Sequence, residues 1–309
     1  MEQEIQIDNN NIENLQQQYH STGTNPDIMF GLGTDIINKD MWWKLLYTMF
    51  TITAIGYLMA KRTSNRIFVM VKPVPVVILG YIVLLWCSIH HKTGTQQVLN
   101  DALHLIVPHN PTQYAVYISV GLFLSAIGDF FLLYKRFFIH GVFFFLIAHI
   151  SFIFAFTSSD QFFTPIVIGL LVGIVLFFAF MFLAKVFPLF SKMGISRSLA
   201  VALFFYTSVI VAMCYTASVR SITKLLTLII SNNTADITSK LFTSMTFYAS
   251  IGAIGAVLFF ISDMMILVRE VNLLSNNNVS KVRKVLGHGD LGMIVYWLGQ
   301  FCIALSVSH

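Results

Sequence analysis

The apolar positions of this chain fall into runs of roughly twenty residues separated by short polar stretches, the spacing that bilayer-crossing helices require. Eight such runs stand out, at approximately 42–60, 71–89, 114–134, 138–157, 162–184, 199–219, 245–268 and 287–307. At about 1.5 Å of rise per residue, each reaches across a hydrocarbon core of about 30 Å. A run such as Ile166 to Leu183 shows no alternation of polar and apolar residues, which argues against a transmembrane barrel. The pattern predicts an all-α, polytopic integral membrane protein, a bundle of eight transmembrane helices. The links between runs three and four and between four and five are very short, which makes those helices antiparallel neighbours. The longer links, about 90–113 and 220–244, are expected to fold over one face of the bundle.

Ahead of the first run, residues 1–40 are rich in Asn and Gln and carry Glu2, Glu4, Asp8, Glu13, Asp27, Asp35 and Asp40 against a single Lys39. Such a composition cannot build a core, and a disordered polar tail is predicted before a membrane domain of 41–309. The tail does not read as a secretory signal, because no basic flank and small-residue cleavage site frame an early apolar run.

Composition agrees with the pattern: 56% of residues are hydrophobic and 11% charged, against about 45–50% and about 25% in a soluble globular chain. The net charge of +5 does not point to nucleic acid, because the 19 Lys and Arg are scattered among links and form no basic helix. They act instead as topology signals. The odd-numbered links hold 13 of them, including Lys61, Arg62, Lys135, Arg136, Arg269 and Arg283, and the other side holds six. The positive-inside rule then makes the odd-numbered links cytosolic and sets both termini on the opposite side. Cys87, Cys214 and Cys302 all lie in apolar runs without metal or redox spacing, so three buried thiols are expected.

Ionisable side chains at membrane depth are costly, at least about 2.5–3.5 kcal/mol each, and persist with a job or a partner. Asp129, His149 and Asp263 are such residues. Asp129 lies six residues before Lys135 and Asp263 six before Arg269, which sets both carboxyls at similar depth on helices running the same way. Two carboxyls sharing a medium poor in water cannot both ionise cheaply, so one is expected to keep its proton while the other stays charged, a pairing suited to acid and base work. The competing reading is that each Asp separately satisfies a helix terminus, a Ser or a Lys. Ser125 lies one turn before Asp129, Gly128 and Ser262 are immediate neighbours of the two Asp residues, and Gly252 and Gly255 allow close packing.

Around these, the run Lys72-Pro73-Val74-Pro75 opens the second span, since proline is tolerated in a first helical turn. It places an ammonium at the cytosolic mouth, there to meet a phosphate, to pair with an Asp or to snorkel. His149 sits mid-span among phenylalanines, with structural and catalytic readings both open. Tyr296 and Gln300 are one turn apart on one face, placed to hold a water or substrate oxygen or to bond between helices. His90, His91, Asp101, His104 and His109 crowd one link, and His288 with Asp290 precedes the last span, but neither group has the spacing of a metal-binding helix, and no metal site is expected. No Gly-x-Ser-x-Gly, Walker loop or His-Glu-x-x-His occurs.

The segment Ser125-Ala126-Ile127-Gly128-Asp129-Phe130-Phe131-Leu132, then Gly141 and Phe145-Leu146-Ile147-Ala148-His149, resembles the YhhN-like lysoplasmalogenase family, known in animals as the transmembrane protein 86 group. Lys72-Pro73-Val74-Pro75, the stretch Gly255 to Asp263 and Tyr296-Trp297-Leu298-Gly299-Gln300 carry the same resemblance, which runs from about Arg66 to Ser306. It implies an enzyme that hydrolyses the vinyl ether bond of alkenyl lysophospholipids to a fatty aldehyde and a glycerophospho-base, without a cofactor, in endoplasmic reticulum membrane. It assigns the reactive pair to Asp129 and Asp263. The chain departs from the family pattern in its long polar tail, in its two long links and in Gly299, where Ala is expected. The bilayer and a lysophospholipid are then the partners, with Lys72, His149, Tyr296, Gln300, Ser125 and Ser262 as candidate substrate contacts. A proton-coupled transporter using the same Asp pair as a relay is the alternative from another class. It predicts an internal repeat, of which Gly128-Asp129 against Ser262-Asp263 is the sole trace.

Overall fold

The computed structural model describes residues 38–63, 71–90, 111–157, 165–188, 197–231, 245–274 and 289–307. The N-terminal residues 1–37 and the links about 91–110 and 232–244 lie outside them, and with them most of the histidine-rich segment and all of the 1–40 tail but its last three residues, which are helical. The chain divides into two units, Met1–Thr48 and Met49–His309. The first is described from residue 38, where it is helical.

The described residues form eight α-helices: α1 (Asn38–Thr63), α2 (Val74–His90), α3 (Pro111–Leu132), α4 (Phe138–Thr157), α5 (Pro165–Met181), α6 (Arg197–Ser231), α7 (Met245–Leu274) and α8 (Gly289–Leu305). Within them five stretches are long and apolar enough to cross a bilayer: Gln113–Leu132, Phe138–Thr157, Val167–Ala184, Ala200–Ile230 and Thr246–Ile266. Val74–Cys87 and Leu291–Leu305 are apolar but shorter. Large apolar side chains such as Ile139, Phe177, Phe180, Leu183 and Ile230 stand more than 60% exposed, which suits lipid and not water.

Most limits agree with the apolar pattern to within four residues; α7 runs six residues past 268, and α6 differs most. α6 does not stop at 219 but continues to Ser231, giving 35 residues and about 52 Å of helix. The segment Ser221 to Ser231 contains neither Gly nor Pro and is rich in Leu and Ile, so nothing breaks the helix before Asn232. The expected long link therefore begins about a dozen residues later. α5 passes at its end into a π turn, Phe182–Val186. Phe182 there packs on Phe204 of α6, their ring centroids 5.0 Å apart.

Two close helix pairs set the frame of the core. α3 and α4 are joined by a tight turn in which the Leu133 and Tyr134 amides donate to the Phe130 and Phe131 carbonyls and a single 3-10 turn, Lys135–Phe137, follows. The two helices then touch through Gly128 and Gly141: a Cβ on Gly141 would lie 3.1 Å from the Gly128 carbonyl oxygen. α7 and α8 meet in the same manner, for a Cβ on Gly255 would lie 2.8 Å from the Gly299 carbonyl oxygen. That contact accounts for Gly299, since an alanine there would bring its methyl to 3.0 Å from the Gly255 oxygen and the Phe259 nitrogen. α6 lies against both α4 and α7, and α2 against α3. From Met49 onward α1 meets α8 through aromatic pairs, Phe50 with Phe301 and Tyr57 edge-on to Trp297.

Candidate active site

Near one end of these helices, polar side chains from α3, α4, α6, α7 and α8 and from the turn before α2 collect in an otherwise apolar interior. Asp129 lies one turn from the end of α3 and is 2% exposed. Lys72 precedes α2, in the turn whose Pro73 carbonyl accepts the first helical hydrogen bond from Val77. Its Nζ lies 2.9 Å from Asp129 Oδ1, a buried ion pair. Of the three fates open to Lys72, pairing with an Asp is the one adopted. The partner oxygen Oδ2 of Asp129 has no hydrogen-bond partner.

Asp263 sits two turns beyond Gly255 on α7 and takes its contacts from α4 and α6. The Tyr206 hydroxyl donates to its Oδ2 at 2.8 Å, and His149 Nε2 lies 3.3 Å from the same oxygen. Tyr206 and His149 are themselves 3.4 Å apart. The imidazole is fully buried, set edge-on to Phe259 with centroids 4.7 Å apart, and its Nδ1 meets no partner. Nε2 is thus the ring nitrogen that meets both Asp263 and Tyr206.

Tyr296, one turn before Gln300 on α8, is also buried. It is within electrostatic reach of both Asp129 and Asp263, and the carboxyls are within reach of each other. Its hydroxyl faces Asp129 and Gln300 but meets full hydrogen-bond geometry with neither. The oxygen and nitrogen of the Gln300 side chain, 0% exposed, are also without partners, as is Ser125 Oγ on α3. Phe145 and Phe259 stand edge-on to Tyr296 and form the apolar wall. Buried polar atoms are normally satisfied, so several without partners near two carboxyls set this region apart from the apolar interior around it.

The candidate residues separate accordingly. Asp129, Asp263, Lys72, His149, Tyr296 and Gln300 come together, and Ser125 is buried one turn from Asp129. Ser262 turns away: its hydroxyl donates to the Gly292 carbonyl at 3.1 Å and ties α7 to α8. Tyr206 is an addition, a polar group inside the apolar stretch Leu203-Phe204-Phe205-Tyr206. Its hydroxyl was the available signal, since a buried Tyr O–H needs an acceptor. Among the described residues, no three His, Cys, Asp or Glu side chains are grouped to hold a metal ion.

Comparison with known proteins converges on one family. A model of the YhhN family matches residues 67–307. The chain is also similar to a protein of Dictyostelium discoideum described as a lysoplasmalogenase homolog, with 74% identity over 309 residues that cover all of both chains. No solved structure matches.

Proposed function

The chain belongs to the YhhN family, and from that membership we propose that it is a membrane-embedded lysoplasmalogenase, hydrolysing the vinyl ether of alkenyl lysophospholipids. All eight helices cross the bilayer in this reading, with the odd-numbered links cytosolic and the endoplasmic reticulum as the resident membrane. The observation that carries it is the pair of buried carboxyls: Asp129 has a cation against it and Asp263 has the Tyr206 hydroxyl and His149. The relative's description supports a hydrolase and lends nothing to a transporter.

The asymmetry supports a division of roles between the two. Asp129, held against Lys72, is the carboxylate. In this reading Asp263 is the acid, with its Oδ2 accepting from the Tyr206 hydroxyl. Asp263 delivers its proton to the β carbon of the vinyl ether, whose π pair forms the new C–H bond and leaves an oxocarbenium ion beside the Asp129 carboxylate. Water adds to the α carbon and gives a proton to Asp129. In the collapse of the hemiacetal, the glycerol oxygen takes that proton from Asp129 as its carbon–oxygen bond breaks, and the hemiacetal hydroxyl returns its own to Asp263. One water is consumed, both carboxyls regain their starting states, and no covalent intermediate or cofactor enters.

The unsatisfied atoms of Tyr296, Gln300 and Ser125 supply the recognition. A lysophospholipid carries a free glycerol hydroxyl beside the reacting ether, and in this reading Gln300 holds it. An ammonium has three donors, so Lys72 also has hydrogens to turn toward the lipid phosphate. Phe145 and Phe259 face the alkenyl chain.

The experiment is aldehyde release by the purified protein from matched 1-alkenyl and 1-alkyl lysophospholipids. The proposal expects aldehyde from the alkenyl lipid alone. Failure with the alkenyl lipid in protein shown to be folded would overturn it.

A further inference from the structure

Away from the carboxyl pair lies a second buried charge that the reaction does not use. Arg220 is 7% exposed on α6, and from Tyr206 the helix climbs about 21 Å at 1.5 Å per residue to reach it. Its guanidinium lies flat over the Tyr114 ring, 3.8 Å from the centroid, and Nη1 has no hydrogen-bond partner. Tyr114 is in the first turn of α3, and its hydroxyl is pinned to Ser306 Oγ at 2.6 Å. The stacked ring covers a face of the guanidinium, and Nη1 is left without a partner.

The first turn of α7 reaches the same level. Thr246 Oγ1 donates to the Lys224 carbonyl at 3.3 Å, and Ser250 meets Ser221 at 2.9 Å. The first turns of α3 and α7 therefore both reach the region of Arg220, and a helix N-terminus carries a positive end potential. Lys224 follows Arg220 by one turn on α6. Among the described residues no carboxylate forms an ion pair with Arg220. A guanidinium buried with a bare N–H is costly unless an anion meets it, and its planar fork matches a phosphate.

We propose that Arg220, with Lys224 and the first turns of α3 and α7, forms a second anion site that binds a phosphate group, carried by a lipid headgroup or free. It is distinct from the substrate's reactive pose. The phosphate of a lysoplasmalogen is only a few bonds from its vinyl ether, so one held at Arg220 leaves that ether far from Asp129 and Asp263. The site sits at the level where α3 and α7 begin, which is where a headgroup would meet a bundle of this kind. It stands whether or not the carboxyl pair is a hydrolase centre.

The test is thermal unfolding of the purified full-length protein in a neutral detergent. It is titrated with inorganic phosphate, with phosphatidylglycerol in mixed micelles, and with uncharged diacylglycerol. At a hundredfold excess over Kd a specific ligand raises Tm by about 5 °C or more. A saturable rise with phosphatidylglycerol alone assigns a lipid headgroup. A rise with inorganic phosphate as well assigns the phosphate as sufficient, and a rise with inorganic phosphate alone assigns a free anion. Arg220→Gln is expected to lose the rise, and Arg220→Lys and Lys224→Gln to weaken it. No saturable rise in the unmutated protein, or an equal rise with diacylglycerol, overturns the proposal even if Arg220→Gln does not fold. So does an undiminished rise in Arg220→Gln.

Discussion

Replacing Lys72 by methionine keeps most of the side chain's bulk and removes its ammonium, leaving the Asp129 carboxyl inside the protein with nothing opposite it. The geometry sets the magnitude: the two charges are 2.9 Å apart and their side chains 11% and 3% exposed, so water does little to screen them. Removing one partner of such a pair costs about 3–5 kcal/mol, because the charge left behind is uncompensated. At about 2–4 °C per kcal/mol for a domain of roughly this size, Lys72→Met should lower Tm by about 6–20 °C. Asp129→Asn strands the ammonium instead and should fall in the same range. The double variant Lys72→Met with Asp129→Asn leaves no unpaired charge, and replacing a buried pair by neutral groups is often close to neutral. It should therefore unfold above either single variant. The assay is a double-mutant cycle of thermal unfolding in neutral detergent. A double variant whose losses simply add would refute the ion pair as a coupled unit.

The remaining predictions address the site and its frame. Tyr206→Phe removes the 2.8 Å donor to Asp263 and leaves the ring in place; kcat should fall about 10- to 100-fold, the worth of a hydrogen bond of about 1.5–3 kcal/mol, with KM nearly unchanged in steady-state aldehyde release. Gln300→Leu takes away the proposed hydroxyl reader, so the preference for alkenyl lysophospholipid over its 2-acylated counterpart should shrink by at least about tenfold in a competition assay. Gly255→Ala sets a methyl 2.8 Å from the Gly299 carbonyl oxygen, where backbone must move; a stability loss of about 1–3 kcal/mol is expected from thermal unfolding.

The hydropathy pattern already marked the helices, because apolar runs bounded by charge are a strong signal in one dimension. It missed the end of α6, where Leu225 to Ile230 continue an apolar helix into a stretch that read as a link through its scattered Ser and Thr. Asp129 and Asp263 were legible for the same reason, a charge being conspicuous in an apolar run. Their surroundings were not. Tyr206 looks like any aromatic residue in a membrane helix until α6 lies against α4 and α7, and its contact with Asp263 joins residues far apart in sequence. Ser262 shows the reverse: adjacent to Asp263 in the chain, it faces another helix and bonds Gly292. Gly299 departs from the expected Ala, and the reason lies in Gly255 on the facing helix.

The central claim is that the two carboxyls move the proton that opens the vinyl ether. Aldehyde release from a 1-alkenyl lysophospholipid, measured for Asp129→Asn and Asp263→Asn in protein checked for folding, tests it most directly. Loss of at least about a thousandfold in kcat from each variant is predicted, as expected where acid and base act as a unit. Turnover near the normal rate by either folded variant would contradict the account.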